Sequence, residues 1–224
     1  MNSTEVKAIL MQCGVKHLYH VNSVLTALTY LENGGLLSRE TVEKRGLPQT
    51  PQKTDSLDQL FNIYNDIFFD SVDIHERSRN VNHYGPITFV YSIDVLDELS
   101  DYDVLVTKKN PAFWKETATE EDKYFLDGDE LSFFFELGNF GQHITIKNIS
   151  QEISFQNLEE IIIEDPGEKH IDLFKNASNA LISVMEKNKL MIPLSARNCP
   201  KECHCREKYE NAKNGYAYYR FKIK

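Results

Sequence analysis

The sequence predicts an α+β domain with many short strands around one sizeable core. Three observations carry this. Of the 224 residues, 41% are apolar and 26% charged, an ordinary globular composition, and 13 Phe and 11 Tyr spread along the chain exclude disorder over most of it. Short runs of β-branched and aromatic residues recur at irregular intervals between turn residues. Helical spacing is confined to a few segments, which argues against the regular alternation of a doubly wound nucleotide fold.

Thr4 to Gln12 places Val6, Ile9 and Leu10 at helical spacing, and Lys16 to Val21 then reads as a strand. Ser23 is an N-cap for a helix carrying Val24, Leu25, Leu28 and Leu31 on one face, and Asn33-Gly34-Gly35 ends it. Leu36 to Arg39 is expected to be extended. Residues 46–56 (GLPQTPQKTDS) form the most loop-like stretch, of a kind kept in compact domains when it covers or lines something. Leu57 to Phe69 begins helical and turns aromatic. Ile87 to Ile93 is the clearest strand, and Tyr102 to Thr107 is another. Further strands are predicted at Leu131–Phe135, His143–Ile146 and Glu160–Ile163, and a long helix over 170–187.

Charge divides the chain unevenly. The net charge is -9, yet residues 187–224 carry ten Lys or Arg against three Glu, a net of +7 that leaves -16 on the first 186. Residues 1–186 are therefore expected to form the main domain, and 187–224 a basic, Cys- and Tyr-rich extension packed on it. Such a tail either holds nucleic acid locally or docks on the acidic body and neutralises it. No stretch is apolar enough for a membrane helix and Met1 to Glu5 lack the features of a secretory signal, so a cytoplasmic, reducing location is expected. The phosphate loop, the G-x-G-x-x-G turn, the G-x-S-x-G elbow and H-E-x-x-H are all absent from the sequence. Those absences exclude P-loop kinases, Rossmann dehydrogenases, α/β-hydrolases and zincins.

The opening Leu18-Tyr19-His20-Val21-Asn22-Ser23-Val24-Leu25, its helix, and Gly34-Gly35-Leu36-Leu37-Ser38-Arg39 resemble the DarT-like ADP-ribosyltransferases, toxins that modify nucleic acid. Ile87 to Leu96, Tyr102 to Thr107 with Trp114, and Leu158 to Pro166 with the helix near Ile171 resemble the family's central strand pair and its closing strand and helix. These are short motifs in the right order over most of the chain. The resemblance implies an ADP-ribosyltransferase-like split β-sheet core with flanking helices. It also implies NAD as co-substrate, transfer of ADP-ribose to a DNA or RNA base, and a toxin–antitoxin or phage-defence setting with an antitoxin partner.

Residue by residue, the resemblance places Tyr19, His20 and Val21 at NAD, with His20 on the nicotinamide ribose. Arg39, Arg45, Arg77 and Arg79 are the arginines for the pyrophosphate, and the resemblance does not decide among them. The family presents a catalytic Glu at the start of a strand before the closing one; here that stretch reads Phe140-Gly141-Gln142-His143, with Gln142 in its place. An amide can bond a ribose hydroxyl but supplies no negative charge. Either the match is displaced, or another group such as His143 or Glu160 acts, or the chain is an inactivated Glu-to-Gln variant in which Gln142→Glu should raise transfer about 100-fold. A catalytically inactive nucleic-acid or protein-binding module on the same fold is the alternative. Cys199, Cys203 and Cys205 crowd the tail with His204. They are read as unligated thiols, so no metal residue is assigned; zinc at the three cysteines, completed by Cys13 or His204, is the competing reading.

Overall fold

Asn2 accepts a hydrogen bond from the Glu5 amide (2.8 Å), and the helix it caps packs Val6 and Leu10 into the core. The computed structural model describes residues 1–200, 202–212 and 215–224; Lys201 and Lys213 of the basic tail lie outside them. The helices are α1 (Ser3–Gln12), α2 (Val24–Asn33), α3 (Arg39–Lys44), α4 (Asp55–Leu60), α5 (Ile74–Ser78), α6 (Glu120–Lys123), α7 (Gly128–Phe134), α8 (Ile171–Lys187), α9 (Cys205–Asn211) and α10 (Tyr216–Phe221). The strands are β1 (His17–Asn22), β2 (Gly35–Leu36), β3 (Ile67–Phe69), β4 (Ile87–Ser92), β5 (Val104–Thr107), β6 (Tyr124–Phe125), β7 (Ile144–Ile146), β8 (Ile153–Ser154), β9 (Leu158–Ile163) and β10 (Leu194–Ala196).

One sheet has the order β1–β4–β9–β10, antiparallel except for the parallel β9–β10 pair. A second, wholly antiparallel sheet has the order β3–β7–β5–β6, and β2 pairs with β8 apart from both. The two larger sheets meet through their edge strands at a single bridge. Tyr19 N donates to Asp70 O (3.0 Å) and Asp70 N to Tyr19 O (2.9 Å). On either side of that bridge the edges splay apart, so this is an α+β fold with a split sheet.

Local chemistry explains most boundaries. Ser23 caps α2, and Gly34, in the left-handed conformation (φ 81°), ends it with its N–H on Tyr30 O. Ala177, Leu181 and Met185 recur every four residues on α8 and are its buried stripe. Two expected strands are corrected. Leu131–Phe135 belongs largely to α7, because Asp127 accepts from the Glu130 amide (2.7 Å) and caps a helix that buries only Leu131. Leu36–Arg39 is extended only to Ser38, which caps α3 through the Thr41 amide (3.1 Å).

The tail is built into the same core as the body. Cys205, Tyr209, Ala217 and Phe221 are each no more than 2% exposed and share one apolar cluster with α1, α2, β4 and α8. No helix among the described residues is long and apolar enough to cross a membrane.

Candidate active site

Where β1 and β3 splay apart they leave a cleft of about 840 Å³, open solvent at its mouth included. Residues of β1 and β3 line it, with Ser38 and Arg39, Gln52 and Thr54 of the loop before α4, and Asn110 and His143. The loop is pinned from below: Thr50 is buried, its hydroxyl accepting from Ser23 Oγ (2.7 Å) and its amide donating to Thr26 Oγ1 (3.0 Å).

His20 reaches the cleft from the inner face of β1, with Tyr30, Phe69 and Phe89 around its ring. Its Nδ1 lies 2.9 Å from Phe68 O, a carbonyl, so Nδ1 carries the proton and donates. Burial holds the ring's pKa below its ordinary value, so the imidazole is neutral and Nε2 is an unprotonated acceptor. That Nε2 is sealed from solvent and has no partner among the described residues. Tyr30 beside it accepts from Asn22 Nδ2 (3.2 Å), and burial pushes its phenol up to about 12. Tyr19 and Val21 border the cleft as well, although the Tyr19 ring turns towards His17.

Arg39 is the cleft's arginine. Its Nε lies 2.5 Å from Asp55 Oδ1, and Nη2 donates to Asp55 Oδ2 (2.8 Å) and Thr50 O (3.2 Å), while the buried Nη1 has no partner among the described residues. The other arginines lie elsewhere. Arg45 is exposed beyond the end of α3; Arg77 borders a separate depression and stacks on Phe140. Arg79 is exposed at the C-cap of α5, φ 53°.

Gln142 and His143 are adjacent yet differently used. Gln142 is 6% exposed and does not line the cleft; its Oε1 accepts from the Glu136 amide (2.7 Å) and its Nε2 donates to Phe134 O (3.0 Å). The amide closes the turn after α7. His143 is held in the cleft by Thr107, which exchanges hydrogen bonds with its backbone (2.8 and 3.0 Å). Asp70 Oδ1 accepts from His143 Nδ1 (2.9 Å), and Nε2 accepts from Asn110 Nδ2 (3.2 Å). Glu160 falls outside for a reason of parity. Tyr19, Val90 and Glu160 are cross-strand partners in one row, and His20, Phe89 and Ile161 in the next. Successive residues face opposite sides of a sheet, so Glu160 projects from the face opposite His20.

Sequence reasoning passed over Asp58 and Asn110. Asp58 lines the cleft from α4, and burial pushes its carboxyl up to about 6. It stands in a polar helix with no motif to mark it, whereas Asn110-Pro111 at least signals a turn. The cysteines also gather differently from the expectation. His204 is exposed and Cys13 lies on the N-terminal helix; the imidazole that joins Cys199, Cys203 and Cys205 is that of His75, from α5.

No family model matches the sequence, and no curated protein sequence does. Among solved structures, the chain is similar to Thermus sp. 2.9 DarT in complex with ADP-ribosylated ssDNA, with a TM-score of 0.52 at 10% identity, over 82% of this chain and 95% of that one. The chain has a DarT-like fold. A structure of Thermus sp. 2.9 DarT in complex with NAD+ matches with a TM-score of 0.48, also at 10% identity, over 82% of this chain and 96% of the DarT chain.

Proposed function

We propose that this chain is an NAD-dependent ADP-ribosyltransferase that modifies a nucleic-acid base. One observation carries the reading: His20 and Arg39, which line a single cleft, each keep a buried polar atom, the acceptor Nε2 and the donor Nη1, without a partner among the described residues. Buried polar groups are rarely left so, and each missing bond costs about 1–3 kcal/mol. A ligand with hydroxyls and phosphates completes both, as the ribose and pyrophosphate of NAD would. The DarT-like fold supports the same reading, the similar structure being that of a DarT in complex with ADP-ribosylated ssDNA.

When bound, NAD supplies the ADP-ribosyl group, with nicotinamide as the leaving group. The protein's residues then have distinct tasks. His20 accepts from a sugar hydroxyl, and Arg39, steadied by Asp55, holds phosphate. Asp70 keeps His143 in the tautomer whose Nε2 is an acceptor, so that imidazole can take a proton from the incoming nucleophile in place of the Asn110 bond. Exposed Phe113, next to the cleft residues Pro111 and Ala112, and exposed Phe133 and Phe134 offer ring faces for bases. A toxin role with an antitoxin partner belongs to the same proposal.

A second reading, an inactive binding module, draws on one specific observation: Gln142 is spent on backbone bonds, and no Glu among the described residues lines the cleft. Labelled NAD incubated with a mixed DNA and RNA pool separates the two. Transfer to nucleic acid, read by mass, supports the enzyme; NAD binding without transfer supports the module; no NAD binding sinks the NAD reading itself. His20→Ala should weaken NAD by about 1–3 kcal/mol in a calorimetric titration. Unaltered NAD affinity together with a large fall in melting temperature would make His20 a core residue only.

A further inference from the structure

We propose that His75, Cys199, Cys203 and Cys205 bind one zinc ion, which fastens the C-terminal module to the segment between Asp70 and Tyr84, two residues that line the cleft. The four ligand atoms lie within 4.8 Å of one another. Cys199 Sγ is 3.4 Å from both Cys205 Sγ and His75 Nε2, and Cys203 Sγ is 3.3 Å from that nitrogen. A tetrahedral zinc with Zn–S of about 2.3 Å and Zn–N of about 2.0 Å needs ligand separations near 3.5–3.8 Å, so these three contacts lie within a few tenths of an ångström of that geometry, and any wider pair must contract by no more than about 1 Å.

The surroundings fit that ion. His75 Nδ1 is bound by the Glu164 carboxylate, which turns Nε2 onto the thiols, as zinc-bound imidazoles are oriented. Glu164 is 1% exposed and also accepts from the Asn82 amide (3.2 Å) and the Tyr209 hydroxyl. Cys203 and Cys205 both turn inward because His204 between them turns out, 71% exposed at its side chain. Three thiolates and one imidazole suit a soft or borderline ion and leave no open position, which makes the site structural.

Its position gives it a consequence. His75 lies between Asp70 and Tyr84, two residues that line the cleft, while its partners come from the loop before α9 (Cys199, Cys203) and the first residue of α9 (Cys205). The ion therefore bridges the segment that joins two cleft residues to the tail across more than 120 residues of sequence, as the His75–Cys199 contact already does.

Full-length protein purified without chelators should contain about one zinc per chain. Cobalt in its place should show intense tetrahedral ligand-field bands and thiolate-to-cobalt charge transfer. Cys13→Ser should keep the metal, and Cys203→Ser and His75→Ala should lose most of it. Should those variants fail to fold, thiol titration of the wild type decides. Cys13 alone should react until a chelator is added, after which the other three follow. Zinc below about one tenth per chain with no charge-transfer band, equal reactivity of all four thiols in the presence of zinc, or metal loss in Cys13→Ser would each overturn the proposal.

Discussion

Asp58 links the cleft to pH. Burial raises its carboxyl from 3.8 to about 6, so the native state binds this proton more tightly than the unfolded chain does. Its contribution is fully favourable below the unfolded value of 3.8 and is lost as pH rises through about 6. Asp58→Asn should therefore stabilise the protein by on the order of 2 kcal/mol near pH 7.5 and by almost nothing near pH 4. Chemical denaturation at the two pH values reads this, and an equal shift at both would mean that the carboxyl is not desolvated. Gln142 requires a revised expectation at the same scale. In Gln142→Glu the carboxylate can still accept from Glu136 N but cannot donate to Phe134 O, so about 1–3 kcal/mol of stability should be lost. Transfer should not rise, since the side chain stays in its turn. A 100-fold gain, as the family pattern had implied, would show that the turn opens and delivers residue 142 to the cleft.

Elements hold the site by close approach. A Cβ on Gly85 would lie 2.1 Å from the carbonyl of Asn22 and 2.3 Å from Ser23 N, backbone atoms at the end of β1 and the start of α2. Gly85→Ala must push β1 and α2 away from the loop before β4, and His20 with them. A loss of about 3 kcal/mol or more is expected, together with weaker NAD binding. Gly34→Ala meets open space and carries only the left-handed backbone, a cost of about 1–2 kcal/mol. Comparing the two midpoints in denaturant tests the claim, and similar losses at both positions would refute it.

For the molecule as a whole, the basic tail supports the body. Arg197 pairs with Asp73 (2.7 Å) and Arg206 with Asp165 (2.5 Å), so part of its charge neutralises acidic groups in the rest of the chain. Burial of Tyr209 and Phe221 alone contributes about 3–6 kcal/mol, against about 5–15 for a typical domain. A chain ending at residue 186 should lose its cooperative unfolding transition. Retention of a sharp transition by that truncated chain would make the tail an accessory. Nucleic-acid binding is better probed at exposed residues: Lys208→Glu with Lys224→Glu should flatten the salt dependence of affinity if the tail contacts phosphates, and leave it unaltered if it only docks.

Much of the fold was legible in the sequence because its signals are local. Ser23, Asn33-Gly34 and the β-branched run from Ile87 act within a few residues, so α2 and β4 could be read directly. The order of such motifs also carried the DarT-like resemblance. Leu131–Phe135 misled because an aromatic run looks like a strand unless the Asp127 cap is given more weight. The site was legible only in part. His20, Arg39 and His143 could be named as residue types in sequence, but their selection over Arg45, Arg79 and Glu160 depends on strand parity and on where two sheet edges part. Asp70 reaches His143 across 73 positions and His75 reaches Cys199 across 124. Pairings at such separations leave no periodicity in the chain, because only packing of the split sheets against the tail brings those atoms within bonding distance.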